Sequence, residues 1–126
     1  MDTNFLFIPS EFRLDIFEEL NNLSGQRAEP VILSPTYQEL QGLAKSNSIK
    51  IRKQALLGLR LAEKCRVVEV KRMDDESNDD LILRMATEWK CPVATNDREL
   101  RKKLRIRGVS VVFLRQKSRL EVDGSV

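Results

Sequence analysis

Residues 91–114, CPVATNDRELRKKLRIRGVSVVFL, read as a strand, a helix and a second strand. Val and Thr crowd CPVAT and VSVVFL, and β-branched side chains pack well on a pleated, buried surface. Between them Asp97 stands where it can cap a helix, Leu100 and Leu104 recur on one helical face, and Gly108 closes it. A strand, a helix and a strand in succession make a parallel pair with a right-handed crossover. The same alternation runs outward towards the N-terminus. Leu81, Ile82, Met85, Ala86 and Trp89 form the apolar face of one helix, RVVEV at 66–70 is a strand, and Ile51, Ala55, Leu59 and Ala62 mark another helix. Ser34-Pro35 opens a helix reaching about Lys45, directly after the buried strand VIL at 31–33. Ser10 is placed to cap a first helix carrying Phe12, Ile16, Leu20 and Leu23. The pattern predicts one α/β domain, residues 1–115, with helices on both faces of a parallel sheet, and a tail at 116–126.

Composition narrows the chemistry. With 126 residues, 41% hydrophobic, 5 Gly and 4 Pro, the chain has ordinary globular proportions and length for one core. No apolar run approaches the roughly 18 residues of a membrane span, and the N-terminus lacks a secretory pattern, so a cytoplasmic protein without a membrane partner is expected. The two cysteines, Cys65 and Cys91, cannot staple a domain. The chain has no His, which excludes Ser-His-Asp and Cys-His catalysis and a Cys/His zinc site. Hydrolysis would have to run on carboxylates.

Net charge is only +3, but the charges are segregated. Residues 98–107 hold six basic side chains, Arg98, Arg101, Lys102, Lys103, Arg105 and Arg107, and one acid, whereas 74–80 hold five acids. A polyanion partner beside a cation-collecting site fits that division. In a doubly wound sheet, sites form outside the carboxyl ends of the strands. Glu39, Asp79 and Asp97 fall near such ends, and Asp2 opens the chain beside an apolar run. Converging carboxylates repel one another unless a divalent cation neutralises them, and an all-oxygen set suits Mg²⁺ or Mn²⁺. Plainer roles compete. Asp97 as helix cap, Asp79 and Asp80 as first-turn helix acids, Glu39 as a surface residue, Thr95 and Asn96 as turn residues and the basic helix as a solvated face all remain open at this point.

Taken together, MDTNFLF, SPTYQELQGLA, DDLILRMA and VATNDRELRKKLR resemble, in order, the acid-bearing segments of the PIN-domain nucleases. The likeness is greatest to the rRNA-processing branch of the small-subunit processome and its archaeal relatives. The resemblance implies a three-layer α/β/α fold with strand order 3-2-1-4-5. It also implies that Asp2, Glu39, Asp79 and Asp97 are the catalytic and metal-binding acids, with Thr3, Asn4, Thr95 and Asn96 supporting them. Asp79 is preferred to Asp80 because Ala86 lies seven residues beyond it, where the family keeps a small residue. The family's first strand precedes its first Asp, whereas only Met1 precedes Asp2, so that strand is expected to be truncated.

The implied function is a Mg²⁺- or Mn²⁺-dependent endoribonuclease cutting structured RNA, with precursor rRNA as substrate. Ribosome-assembly proteins and a second copy of the chain are further implied partners. Three alternatives stay open: a catalytically weak RNA-binding module of the same fold, a toxin-type ribonuclease of a toxin-antitoxin pair, and a phospho-receiver domain. The last lacks a well-placed Lys at the end of its final strand.

Overall fold

A computed structural model describes residues 16–24, 29–115 and 119–124. Within these residues five helices and five strands follow in the order α1 (Ile16–Ser24), β1 (Val31–Leu33), α2 (Ser34–Leu43), α3 (Ile49–Ala62), β2 (Arg66–Val68), α4 (Asn78–Trp89), β3 (Val93–Ala94), α5 (Arg98–Ile106), β4 (Val111–Arg115) and β5 (Arg119–Asp123). β1 and β2 pair in parallel with Val31 opposite Arg66, and β3 pairs in parallel with β4 with Val93 opposite Val111. These are the outer pairs of the expected order 3-2-1-4-5. The strand expected between them, and the expected cap at Ser10, lie outside the described residues.

The alternation of side chains along each strand divides the core into two layers. Ile32, Ala94 and Val112 face one way and pack with Ile16 of α1, Leu40 of α2 and Ala62 of α3. Leu33, Val93 and Val111 face the other way, against Leu81, Ile82 and Met85 of α4 and Leu100 and Leu104 of α5. Helices therefore cover both faces, and the fold is a three-layer α/β/α domain with a central parallel sheet. Leu100 and Leu104 are fully buried. Truncating either to Ala removes about 2–5 kcal/mol, the range for large-to-small changes in a packed core.

Two local features differ from the expectation. Residues 119–123, read from the sequence as part of a tail, form β5, which runs antiparallel to β4 with Arg115 opposite Arg119 and Val111 opposite Asp123. Leu120 and Val122 enter the first core layer, while Arg119, Glu121 and Asp123 alternate with them. The second concerns Ser34. It does not cap α2, whose N-cap is Leu33; its hydroxyl donates to the Val70 carbonyl (3.2 Å) and accepts from the Val70 N–H (3.1 Å). That side chain catches the chain just past β2, so the strand expected over 66–70 ends at Val68. Gly108 closes α5 as expected, at φ +76°, with Val109 N–H reaching back to the Leu104 carbonyl (2.9 Å).

Candidate active site

The segment Thr95-Asn96-Asp97 leaves β3 with each of its three side chains in a hydrogen bond to the backbone. Thr95 is fully buried; its N–H extends the ladder to the Val112 carbonyl (3.0 Å) and its hydroxyl accepts the Asp97 N–H (3.1 Å). The Asn96 side-chain oxygen accepts the Leu114 N–H (2.9 Å), so a side chain replaces the next backbone carbonyl as a rung of the sheet. Asp97 then caps α5, one carboxylate oxygen accepting from both Glu99 N–H (2.9 Å) and Leu100 N–H (3.2 Å). Both caps are made by Oδ1, which leaves Oδ2 without a hydrogen bond among the described residues. The capping role and a ligand role are thus compatible in one side chain.

Glu39 and the start of α4 meet. Glu39, exposed on α2, accepts a hydrogen bond on Oε2 from the Asn78 amide (2.9 Å), and the Asn78 carbonyl oxygen in turn accepts from Arg72 (3.2 Å). Asn78 is the first residue of α4 and Asp79 the second, so the contact brings the Glu39 carboxylate to the turn that carries Asp79. Ser77 caps this helix, its hydroxyl accepting the Asp80 N–H (3.1 Å). Asp80 pairs with Lys103 of α5 at 3.8 Å, while Asp79 is half-buried. Neither Asn78 nor Arg72 stood out in the sequence, and the only signal was that Asn78 directly precedes a candidate acid.

The acidic loop before α4 is pinned rather than free to gather cations. Arg84 donates from Nε to one oxygen of Glu76 (3.0 Å) and from Nη2 to the other (3.1 Å), and also reaches the Lys71 carbonyl (3.0 Å). The Met73 N–H adds a further bond to Glu76 (3.0 Å). Arg84, foremost, and the Met73 N–H hold the Glu76 carboxyl below its ordinary range.

The basic helix divides into two sets. Arg101 and Arg105, expected as RNA contacts, turn inward: Asp123 of β5 binds both, at 3.0 and 3.1 Å, and Arg101 lies over the Phe113 ring at 3.8 Å. Arg98, Lys102, Lys103 and Arg107 remain exposed, Lys102 with a distant partner in Glu99 (3.9 Å). Exposed pairs at such distances contribute little and leave their cations available. Tyr37 packs half-buried against the core.

Asp2, Thr3 and Asn4 lie outside the described residues. Among the described residues, no group of three His, Cys, Asp or Glu side chains could hold a metal ion. The donor chemistry, all carboxylate, hydroxyl and amide oxygen, suits a hard cation, but the described part of the rim does not by itself make a metal centre. An apolar cavity of about 340 Å³ is lined, among the described residues, by Leu20, Leu23, Val31, Trp89 and Val93 among others; Glu39, Asp79 and Asp97 do not line it.

The chain is similar to known proteins over nearly its whole length. Residues 1–117 match the family described as PIN like domain. Ribonuclease VapC4 of Methanocaldococcus jannaschii is 35% identical over 128 residues, covering 99% of this chain and 95% of that one. Ribonuclease VapC9 of Archaeoglobus fulgidus is 29% identical, covering 98% and 87%. The solved structure of the PIN domain endonuclease Utp24 superposes with a TM-score of 0.78 at 25% identity, covering 99% of this chain and 91% of that one.

Proposed function

The chain belongs to the PIN-like domain family, and on that premise we propose that it is an endoribonuclease that hydrolyses phosphodiester bonds in structured RNA. The observation that carries the reading is the hydrogen bond joining Glu39 to the Asp79-bearing turn, with Asp97 following a third strand. Acids delivered from three separate strand ends suit a reaction centre better than a solvated surface. The ribonuclease names of two relatives that span nearly the whole chain support the same class.

In this reading Asp79 and Asp97, with Asp2, hold Mg²⁺ or Mn²⁺, and Glu39 is a further ligand or orients the attacking water. When bound, such an ion neutralises the carboxylates and the charge that develops on the phosphate. The chain's own contribution is positional. Asn78 holds Glu39, and the two N–H groups of α5 fix Asp97 by one oxygen so that the other is presented in a constant direction. Thr95 and Asn96 hold the turn that carries Asp97. Exposed Arg98, Lys102, Lys103 and Arg107 contact RNA phosphates.

Precursor rRNA is the substrate class we favour, on the likeness of DTNF and VATNDRELRKKLR to the rRNA-processing branch. A toxin-type ribonuclease of a toxin-antitoxin pair is the second reading, favoured by the two relatives named ribonuclease VapC. Cleavage of precursor rRNA transcripts and of a mixed tRNA and mRNA pool with millimolar Mn²⁺ tests both. Site-specific cuts in the first alone support the favoured substrate, cuts in the second alone support the other, and no cleavage of either, with no metal-induced rise in melting temperature, removes the nuclease reading.

A further inference from the structure

We infer that the outward face of α3 is a second phosphate-contacting surface for RNA, separate from α5; the inference rests on the reading that the chain acts on RNA. Residues 40–62 contain five cations, Lys45, Lys50, Arg52, Lys53 and Arg60, and no acid. All five are exposed, and none forms an ion pair among the described residues. The contrast with α5 is direct. There Asp123 takes Arg101 and Arg105 at 3.0 and 3.1 Å, whereas the cations of α3 form no ion pair among the described residues.

Helix geometry sorts α3 into two sides. Ala55, Gly58 and Ala62 are buried, and they are the small residues that let the helix sit close against the domain. Ile49, Lys53, Leu56 and Arg60 follow at i, i+4, i+7 and i+11, which places all four within a sector of about 60° on the opposite side. Ile49 is 59% exposed and Leu56 49%. Lys53 and Arg60 stand about 10 Å apart along the axis, roughly three nucleotide steps of a stacked strand. The aliphatics between them can lie against sugar and base surfaces.

Other occupants fit less well. A second copy of the chain meeting this face by two-fold symmetry would set cation against cation, with no acid between residues 40 and 62 to answer them. A bilayer surface would draw the cations, but the outward stripe holds two aliphatic residues and no aromatic, too little apolar surface for an interfacial helix.

The test uses the full chain in EDTA, where it cannot turn over, and a fluorescein-labelled single-stranded 20-nucleotide RNA read by anisotropy across a NaCl series. Lys53→Glu/Arg60→Glu weakens binding about tenfold or more, and the neutral pair Lys53→Gln/Arg60→Gln makes the log-log salt dependence shallower by about 1.4, or 0.7 for each lost contact. The neutral pair also carries the test should the charge reversal fail to fold. An unchanged slope in the neutral pair, no RNA binding by the wild type, or loss of binding to anionic phosphatidylserine vesicles with RNA affinity intact each overturns the inference. The two readings separate cleanly. A wild type that binds RNA through α3 but cuts none in Mn²⁺, with no metal-induced rise in melting temperature, sinks the nuclease reading alone; one that cuts RNA while the α3 variants bind normally sinks this one alone.

Discussion

The Asn78 amide donates a 2.9 Å hydrogen bond to the Glu39 carboxylate, across 39 positions of sequence and between two helices that follow different strands. Because Arg72 holds the other end of the same amide, the orientation of Asn78 is determined from both sides. The bond is exposed, so its net worth to stability is small, about 0.5–1.5 kcal/mol at most. Its value is directional: it specifies where one carboxylate sits relative to the turn bearing another.

Asp97 has two separable duties, and two substitutions divide them. Asn caps helices about as well as Asp, so Asp97→Asn leaves the melting temperature nearly unchanged while cleavage falls by orders of magnitude and RNA binding persists. Asp97→Ala loses the cap as well and costs about 1 kcal/mol of stability. Normal cleavage by Asp97→Asn would refute the carboxylate mechanism.

Asp79 and Asp80 are told apart in the same way. Asp80 is exposed and its partner Lys103 is 3.8 Å distant, so Asp80→Asn shifts stability by less than about 0.5 kcal/mol and leaves cleavage close to normal. Asp79→Asn abolishes cleavage. The reverse result in a turnover assay would move the ligand assignment by one residue.

Glu76 makes part of the acid stability pH-dependent. Its native carboxyl titrates below the ordinary value of 4.5 because Arg84 and the Met73 N–H favour the charged form. A depressed native value contributes stability that is complete above the unfolded pKa and is lost as pH falls through the lower, native one. Acid unfolding followed by circular dichroism should show wild type more stable than Glu76→Gln at pH 5–7, with the difference vanishing as the solution is acidified below about 4. A constant difference down to the lowest pH would place the effect in packing instead.

The two thiols should be slow to react. Burial raises both Cys65 and Cys91 above the ordinary thiol value, which lowers the thiolate fraction at neutral pH. Alkylation by iodoacetamide at pH 7.5 is expected to be several-fold slower in the native protein than in urea. Equal rates would show that neither site is shielded.

Much of the architecture was legible because periodicity is local. VIL, the apolar face of α4 and the α5–Gly108–β4 sequence each announce themselves within a dozen residues. What escaped was decided by partners far along the chain. The strand over 66–70 was shortened by Ser34, CPVAT by the side chains of Thr95 and Asn96, and the cations of α5 were split by Asp123, 22 residues beyond Arg101. Asp123 was hard to foresee because RLEVD carries only two apolar residues, enough for an edge strand and too few to distinguish it from a polar tail. At the site, Glu39, Asp79 and Asp97 could be proposed from their positions after strands, but the Glu39–Asn78 contact depends on how two helices approach, which spacing alone does not encode.

The charged alternation of β5 bears on how the molecule behaves among its neighbours. Among the described strands it is the last beside β4, and a bare sheet margin is a template on which another chain can pair and grow. Arg119 and Glu121, paired with each other at 3.1 Å and with Arg115 joining at 2.8 Å, put ionised groups along that margin. An incoming strand would have to strip water from them to align. Deleting residues 119–123 would expose β4, with its buried Val111 and Val112, in their place, and the visible result would be precipitation at concentrations where the whole protein stays dispersed.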